Sequence, residues 1–308
     1  MRTFATYMET ISHFACPICH HEHLNHHVVC KDYTVSGQIF NIDVCNRCGA
    51  GITQAVPPID KIGTYYQSTS YISHSNTQEG LMNKVYHWVR NYMLKRKKEL
   101  IFEHTSPQSA TLLDIGCGTG YFLNTFKSHQ WIVTGVEPDD KARQFAIDNF
   151  QLTVVPPKEM GLLKSQSFKV ITLWHVLEHL HDLDGYWKEF DRLLKEDGLL
   201  VIAVPNHQSY DAQYYGKYWA AWDVPRHLWH FTPDAMRILA ERFGFEVIAK
   251  EGMPFDSFYV ALLSESYKKN SLKWIAGMWH GGISWLKSLA NVEQSSSVIY
   301  LLRKKKVK

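Results

Sequence analysis

A glycine-rich run in the middle of the chain has the residue types needed to hold a charged ligand. Residues 111–123 form an apolar stretch that ends in Asp114, a turn with glycines at 116, 118 and 120, and a second apolar stretch. Glycines at alternate positions let the backbone approach a ligand closely, and a following helix offers free N–H groups. The spacing G-x-G-x-G places Tyr121 where the dinucleotide fingerprint G-x-G-x-x-G has its last glycine. A carboxylate before the turn also suits a cation better than a pyrophosphate.

Two C-x-x-C pairs near the N-terminus have the spacing of metal ligands. Four thiolates complete a tetrahedral zinc site with no open position, so the predicted role of the ion is structural. Residues 28–42 between the pairs predict a hairpin with its turn at Ser36-Gly37, a layout that resembles a zinc ribbon. Redox-active thiols are the alternative, and Cys30 and a group of nearby histidines are substitute ligands. The pairs are Cys16 with Cys19 and Cys45 with Cys48, and the histidines are His20, His21, His23, His26 and His27.

Strands and helices alternate after residue 110, which predicts a parallel sheet. The expected strands are 111–115, 132–136, 152–155, 169–174, 199–204, 244–248 and an antiparallel seventh at 298–302. Expected helices include 81–103, 119–128, 139–149 and one that begins at Pro233 with Thr232 as its N-cap. The predicted fold is therefore α/β, with a doubly wound, mainly parallel, seven-stranded Rossmann-like sheet. A small N-terminal zinc ribbon precedes the sheet, and a C-terminal helical insertion interrupts it.

The glycine-rich run resembles motif I of class I S-adenosylmethionine-dependent methyltransferases. The resemblance implies that the motif holds the methionine portion of the cofactor. Glu137, at the end of the second strand, is placed to bind two ribose hydroxyls, and Pro138 shapes the turn after it. The family often has an Asp after the third strand to bind adenine, whereas this chain has Pro157 near that position. The predicted cofactor-binding residues are Asp114, Gly116, Cys117, Gly118, Gly120, Glu137, Pro138, Pro157 and Trp174.

The run 175–180 follows the fourth strand and resembles the E-x-x-E-H run of O-methyltransferases of the ubiquinone-biosynthesis type. Those enzymes can bind a divalent ion there, so Mg²⁺ is a further candidate cofactor, although His175 replaces the first Glu. If the run is helical, His175, Glu178 and His179 share one face. His175 as a neutral imidazole is alternatively a general base. Glu178 and His179 could instead only brace the helix.

An aromatic insertion, 206–232, carries a set of polar residues beside the expected ligand crevice. Asp223, Arg226 and His227 are the acceptor-side candidates, and the alternative is an Asp–Arg pair that fixes the loop. The predicted catalytic residues are thus His175, Glu178, His179, Arg226 and His227.

The chain divides into three predicted parts: a zinc-ribbon module at 1–55, a connector and helix at 56–105, and a methyltransferase domain at 106–308. The tyrosine-rich segment 65–71 resembles the one that precedes the core in many bacterial methyltransferases with such a zinc module, which implies a lid over the cofactor, and aromatic packing between modules is the alternative. Residues 95–98 are expected to form a solvated basic face. A second insertion, 255–290, is rich in Trp and could be a cap over the acceptor, an oligomer contact or an interfacial membrane surface.

Composition narrows the classes of function. The net charge of +3 is too small to argue for nucleic acid, and no apolar run has the length of a membrane span. No N-terminal signal peptide is recognised, so a cytoplasmic location is expected. The predicted function is methyl transfer, with oxygen as the preferred acceptor atom of a small molecule, glycan or lipid-linked metabolite. A sugar C-methyltransferase and a non-catalytic cofactor-binding regulator or scaffold are the alternatives.

Overall fold

The computed structural model describes residues 10–67, 81–105, 110–127 and 129–306. A seven-stranded sheet forms the centre of the protein. Its strands are β4 (Thr111–Ile115), β5 (Ile132–Val136), β6 (Thr153–Val155), β7 (Phe168–Trp174), β8 (Leu194–Pro205), β10 (Phe245–Gly252) and β11 (Ser297–Lys304). The spatial order is β10-β11-β8-β7-β4-β5-β6. The strands β4 to β8 pair in parallel, and β11 runs antiparallel to both neighbours. The predicted fold and its antiparallel last strand are confirmed.

Helices cover both faces of this sheet, which explains why its central strands are apolar on both sides. Along β8, Leu200 and Ile202 face one hydrophobic cluster while Val201 and Ala203 face the other, as strand alternation requires. The helices are α1 (Leu81–His104), α2 (Tyr121–Lys127), α3 (Asp140–Phe150), α4 (Leu183–Leu193), α5 (Tyr210–Tyr215), α6 (Pro233–Arg242), α7 (Asp256–Tyr267) and α8 (Lys273–Ala290). Residues of α1, α2 and α3 pack in one cluster, and residues of α4 and α6 pack in the other.

A second, four-stranded antiparallel sheet contains the cysteine pairs. It consists of β1 (Leu24–Lys31), β2 (Ile39–Cys45), β3 (Gly51–Thr53) and β9 (Trp229–His230), in that order. The first two strands form the predicted hairpin, whose turn is held by backbone N–H groups that donate to Asp32. The fourth strand comes from the aromatic insertion and pairs with β3. The small sheet therefore combines three strands from residues 24–53 with one strand from the aromatic insertion.

One conditional expectation does not hold, and one local prediction was wrong. The run 175–180 is not an α-helix: His175 has a φ of 57°, in the left-handed region, and only Leu177–His179 form a short 3-10 turn. The basic run 95–98 is not uniformly solvated, because Lys97 packs with its ammonium nitrogen 4.2 Å from the centre of the Trp174 ring. The part of the tyrosine-rich segment that includes Tyr71 lies outside the described residues. No described helix has the length and apolar character that a membrane crossing requires.

Candidate functional site

The glycine-rich turn lies at the carboxyl end of β4, between that strand and α2. Gly116, Gly118 and Gly120 all have positive φ angles. A Cβ at Gly116 would lie 2.4 Å from Val176 Cγ2, and one at Gly120 would lie 2.6 Å from Leu152 Cδ1. Glycine is therefore required at both positions, because the positive φ is strained for other residues and any side chain would displace its neighbours.

Asp114 is buried beneath this turn and accepts a hydrogen bond of 2.6 Å from the Thr172 hydroxyl on the neighbouring strand. Burial raises the pKa of Asp114 to about 7, although the Thr172 hydrogen bond and Lys97 both favour its charged form. Lys97 reaches toward the same place from α1, and burial lowers the pKa of its ammonium group to about 8. Asp114 on β4 and Lys97 on α1 are thus close enough to interact electrostatically.

Glu137 follows β5 directly and faces the same turn. One oxygen accepts the backbone N–H of Gly118 at 2.8 Å, and the other accepts the N–H of Asp139 at 2.9 Å. Burial raises the pKa of Glu137, and these two hydrogen bonds oppose the rise. Each carboxylate oxygen keeps further acceptor capacity, so the side chain is held in place and can still accept two ligand hydroxyls.

Four other predicted cofactor residues lie around this crevice. Cys117 belongs to the apolar cluster under the sheet, so its backbone rather than its thiol is available to a ligand. Pro138 is exposed on the turn after β5, and Pro157 begins the 3-10 segment Pro157–Leu162 beyond β6. Trp174 ends β7 and packs edge-to-face on Phe122. The structure places all four at the carboxyl ends of strands, which is where ligands bind in open α/β sheets.

His175 is held by two carboxylates. Its Nε2 lies 3.0 Å from Asp256 Oδ2, and its Nδ1 lies 3.3 Å from Glu178 Oε1. Burial favours the neutral ring, but Asp256 and Glu178 outweigh it and raise the pKa of His175 to about 10. The imidazole is therefore protonated near neutral pH, a state that donates rather than accepts a proton.

Glu178, His179 and His227 come together on the other side of this ion pair, each with a ligand-type atom within 4.8 Å of the others. The Nδ1 of His179 lies 3.0 Å from the carbonyl oxygen of Arg226, and that of His227 lies 2.8 Å from the carbonyl of Ala221. A carbonyl can only accept, so each Nδ1 carries a proton, and in the neutral ring the Nε2 keeps a lone pair. Burial, together with His227, lowers the pKa of His179 to about 4.

Glu178 is fully buried. Within the described parts of the chain its carboxylate forms the 3.3 Å ion pair with His175, but neither oxygen accepts a well-aligned hydrogen bond. Burial opposes its charge, but His175 holds the pKa of Glu178 below its usual range. An ionised, incompletely satisfied carboxylate beside two imidazole nitrogens can bind a cation or a polar substrate group.

Arg226 is buried, and its guanidinium N–H groups donate hydrogen bonds to other protein groups. Its Nε and Nη2 donate to the two oxygens of Asp223 at 3.0 and 2.6 Å, and Nη2 also contacts Asp32 Oδ1 at 3.2 Å. Its Nη1 donates to the carbonyl of Tyr65 at 2.9 Å. The guanidinium thus joins the aromatic insertion to the β1–β2 turn and the connector, and its backbone carbonyl orients His179.

The four cysteine sulfur atoms form a compact, buried cluster. Cys16 Sγ lies 3.6 Å from Cys48 Sγ, Cys19 Sγ lies 3.5 Å from Cys45 Sγ, and all four lie within 4.8 Å of one another. Zinc–sulfur bonds of about 2.3 Å in a tetrahedron place sulfurs about 3.8 Å apart, so the cluster fits a zinc ion. Cys30 lies instead in an apolar cluster, where burial raises the pKa of its thiol to about 12.

Sequence reasoning missed three groups near the site. Lys97 belongs to the run that was expected to be solvated, and Asp256 belongs to the insertion 255–290, yet both side chains interact with site residues. The Tyr66 hydroxyl lies 3.0 Å from His179 Nδ1, in the segment treated only as a lid candidate. No local pattern marks these residues, because each reaches the site through tertiary packing.

The sheet order and the crevice at the carboxyl ends of β4, β5 and β7 define the Rossmann-like architecture of S-adenosylmethionine-dependent methyltransferases. The chain belongs to the family described as Methyltransferase domain, whose family model matches residues 85–250, more than half of the chain.

Relatives and solved structures agree with this assignment. The chain is 32% identical over 106 residues to a ubiquinone biosynthesis O-methyltransferase of Haemophilus ducreyi, covering 31% of this chain and 45% of that protein. It is 25% identical over 126 residues to a probable S-adenosylmethionine-dependent methyltransferase of Mycobacterium tuberculosis, covering 40% and 46%. The chain thus spans about half the length of the curated relatives it matches. The fold resembles 1,6-didemethyltoxoflavin-N1-methyltransferase of Burkholderia thailandensis with a TM-score of 0.52 and 14% identity, over 90% of this chain and 100% of that one.

Proposed function

We propose that the protein is an S-adenosylmethionine-dependent methyltransferase that methylates a hydroxyl oxygen of a small molecule. The observation that carries the cofactor assignment is the paired arrangement of Glu137 and the glycine turn. The Glu137 carboxylate is fixed by two backbone N–H groups, and Gly118, beside it, faces open space, where a Cβ would meet no atom within 4 Å. When bound, the cofactor supplies an electrophilic methyl group on a sulfonium sulfur.

The residues around the crevice fit this cofactor by charge and by shape. Glu137 would accept hydrogen bonds from the two ribose hydroxyls, and the turn at 116–120 would hold the methionine portion. Asp114 and Lys97 offer opposite charges, which match the ammonium and carboxylate groups of an amino acid. Pro157 offers no side-chain group to adenine, so backbone groups of the segment after β6 would have to recognise it.

His179 is the residue that we assign as the general base in place of His175. Its Nδ1–H is committed to the Arg226 carbonyl, so its Nε2 can accept the proton of an acceptor hydroxyl as the oxygen attacks the methyl carbon. His227 lies beside it, with ring centres 4.6 Å apart, and would hydrogen-bond the acceptor. His175 and Asp256 form the ion pair that orients Glu178 behind these rings. Arg226 is a positioning residue.

A bound divalent cation is the second candidate for this cluster. The favouring observation is the buried Glu178 carboxylate without well-aligned hydrogen bonds, next to two histidines whose tautomers are fixed by backbone carbonyls. Two nitrogen donors and one carboxylate suit zinc, iron or manganese better than Mg²⁺, which prefers oxygen ligands. Such an ion would supply a Lewis acid that lowers the pKa of an acceptor hydroxyl.

Methyl-¹³C-labelled S-adenosylmethionine and a panel of catechols, hydroquinones and nucleotide sugars test the proposal. The proposal predicts a methoxy carbon in the product by NMR, whereas a sugar C-methyltransferase would give a methyl carbon bound to carbon. Binding of the cofactor with no turnover on any acceptor would favour the regulator or scaffold alternative. Loss of turnover on chelation, with recovery on adding a transition metal, would favour the cation over His179 as the base.

The four cysteines would hold one structural zinc ion, as their sulfur spacing indicates. The cluster also supports the crevice, since Thr232 donates to the carbonyl of Cys48 and Thr53 donates to the carbonyl of His227 at 2.8 Å. The proposed role of this module is therefore to position the aromatic insertion. The boundary of the cysteine module at residue 55 stays a prediction. So do the cytoplasmic location and the expectation that the protein has no nucleic-acid partner.

A further inference from the structure

The outer face of α8 is a continuous apolar surface that neither the cofactor site nor the cysteine cluster explains. Its large side chains are more than half exposed, which is unusual for a contiguous group of this kind. At about 100° per residue they occupy an arc of roughly 140° on the helix. They are Trp274, Ile275, Met278, Trp279, Leu286 and Leu289, and Leu272 extends the group at the N-terminal end; we call these seven residues the α8 face.

The opposite side of α8 fixes the direction of this face. Gly277 packs so closely on α7 that a Cβ there would lie 2.9 Å from Leu262 Cα, and one at Gly281 would lie 2.8 Å from Phe258 Cα. Ser284 is also buried and donates to the buried Asp211 at 2.7 Å. The helix is therefore held by its small-residue side, and it cannot rotate to bury the α8 face against the protein.

Charge distinguishes among the surfaces that could cover this face. The helix Lys273–Ala290 contains no acidic residue. Lys269 lies exposed just before it, and the Lys273 ammonium nitrogen lies 5.9 Å from the centre of the Trp274 ring. Two copies of the chain that met through this face would bring like charges together. An anionic surface would pair with them, and Trp side chains near lysines are typical of helices that lie in the headgroup region of a bilayer.

We propose that the α8 face docks the protein on the surface of a membrane that contains anionic lipids. The helix would lie in the membrane plane with Trp274 and Trp279 at the boundary between headgroups and acyl chains and the lysines at the phosphates. Because α7 begins at Asp256, which binds His175, the docked hairpin is rigidly connected to the crevice. Access of an acceptor with a lipid tail from the bilayer would follow, a step that rests on the proposed methyl transfer, whereas the docking itself does not.

Sedimentation of the full chain with vesicles tests this proposal. The vesicles contain equal parts of phosphatidylglycerol and phosphatidylcholine, or phosphatidylcholine alone. Ile275→Ser removes one apolar group from the α8 face, and Ile59→Ser is the matched control, because Ile59 is 72% exposed and Ile275 is 70% exposed. Lys273→Glu tests the electrostatic part without changing an apolar side chain.

The proposal predicts that the wild type binds the anionic vesicles and that Ile275→Ser weakens partitioning by about tenfold, as expected for the loss of one largely exposed aliphatic side chain. Ile59→Ser should bind like the wild type, whereas Lys273→Glu and added salt should both weaken binding. Equal binding by Ile275→Ser, or no binding by the wild type, would overturn it. So would a dimer in vesicle-free solution, seen by analytical ultracentrifugation, that Ile275→Ser converts to monomer.

Discussion

Replacing Glu137 by Gln isolates the contact on which the cofactor assignment depends. The change keeps the size of a side chain that is only 8% exposed, but it removes the charge and turns one acceptor into an N–H₂ donor. The two backbone N–H groups at Gly118 and Asp139 both need an acceptor, so the amide cannot satisfy both and also accept two ribose hydroxyls. A hydrogen bond to a charged group contributes about 1.5–3 kcal/mol.

At about 1.4 kcal/mol per factor of ten, the loss of one such bond predicts a Kd for S-adenosylhomocysteine that is about ten- to hundredfold higher. Isothermal titration calorimetry measures it directly. Glu241→Gln is the matched control, because Glu241 pairs with Arg237 on the exposed surface of α6, and its Kd should equal that of the wild type. If Glu137→Gln keeps a native circular dichroism spectrum and the wild-type Kd, Glu137 is not the ribose ligand.

Three further predictions follow from the site. Burial raises the pKa of Asp114 to about 7 and lowers that of Lys97 to about 8, so affinity for the positively charged S-adenosylmethionine should rise from about pH 6 to about pH 7.5 as Asp114 ionises, before Lys97 loses most of its charge; an unchanged Kd in calorimetric titrations would contradict this. Under saturating cofactor, His179→Gln should lower turnover by about 10²–10⁴-fold, and His175→Gln should act mainly on the melting temperature; the reverse pattern would restore His175 as the base. Cys45→Ser should remove the one zinc found by elemental analysis and raise the KM for the acceptor, whereas zinc loss in Cys30→Ser would show that the ligand set is wrong.

Periodic and local patterns in the sequence predicted most of the fold. The strand 111–115 and the strand 132–136 agree with β4 and β5, because each is a short apolar run bounded by turn residues. The helix cap at Thr232 is also confirmed, since its hydroxyl accepts the N–H of Ala235. Likewise, the two C-x-x-C pairs meet in one cluster, as their metal-ligand spacing predicts.

The site was harder to predict because its residues are brought together by long-range contacts. The shared helical face considered for 175–180 does not form, because His175 adopts a left-handed conformation and its Nε2 lies 3.0 Å from Asp256 Oδ2 on a distant helix. Lys97 was assigned to solvent because its neighbours in sequence are all basic, and only the packing of α1 against Trp174 shows otherwise. The fourth strand of the small sheet, Trp229–His230, is too short to give a strand pattern of its own.

A crystal structure with S-adenosylhomocysteine bound would locate the cofactor and its sulfur in one experiment. We expect ribose hydroxyls within hydrogen-bonding distance of the Glu137 carboxylate and the homocysteine portion against the glycine turn at 116–120. We also expect the cofactor sulfur to face the space beside His179 and His227. A ligand whose ribose lies elsewhere, or whose sulfur points away from these two histidines, would contradict both the cofactor site and the proposed base.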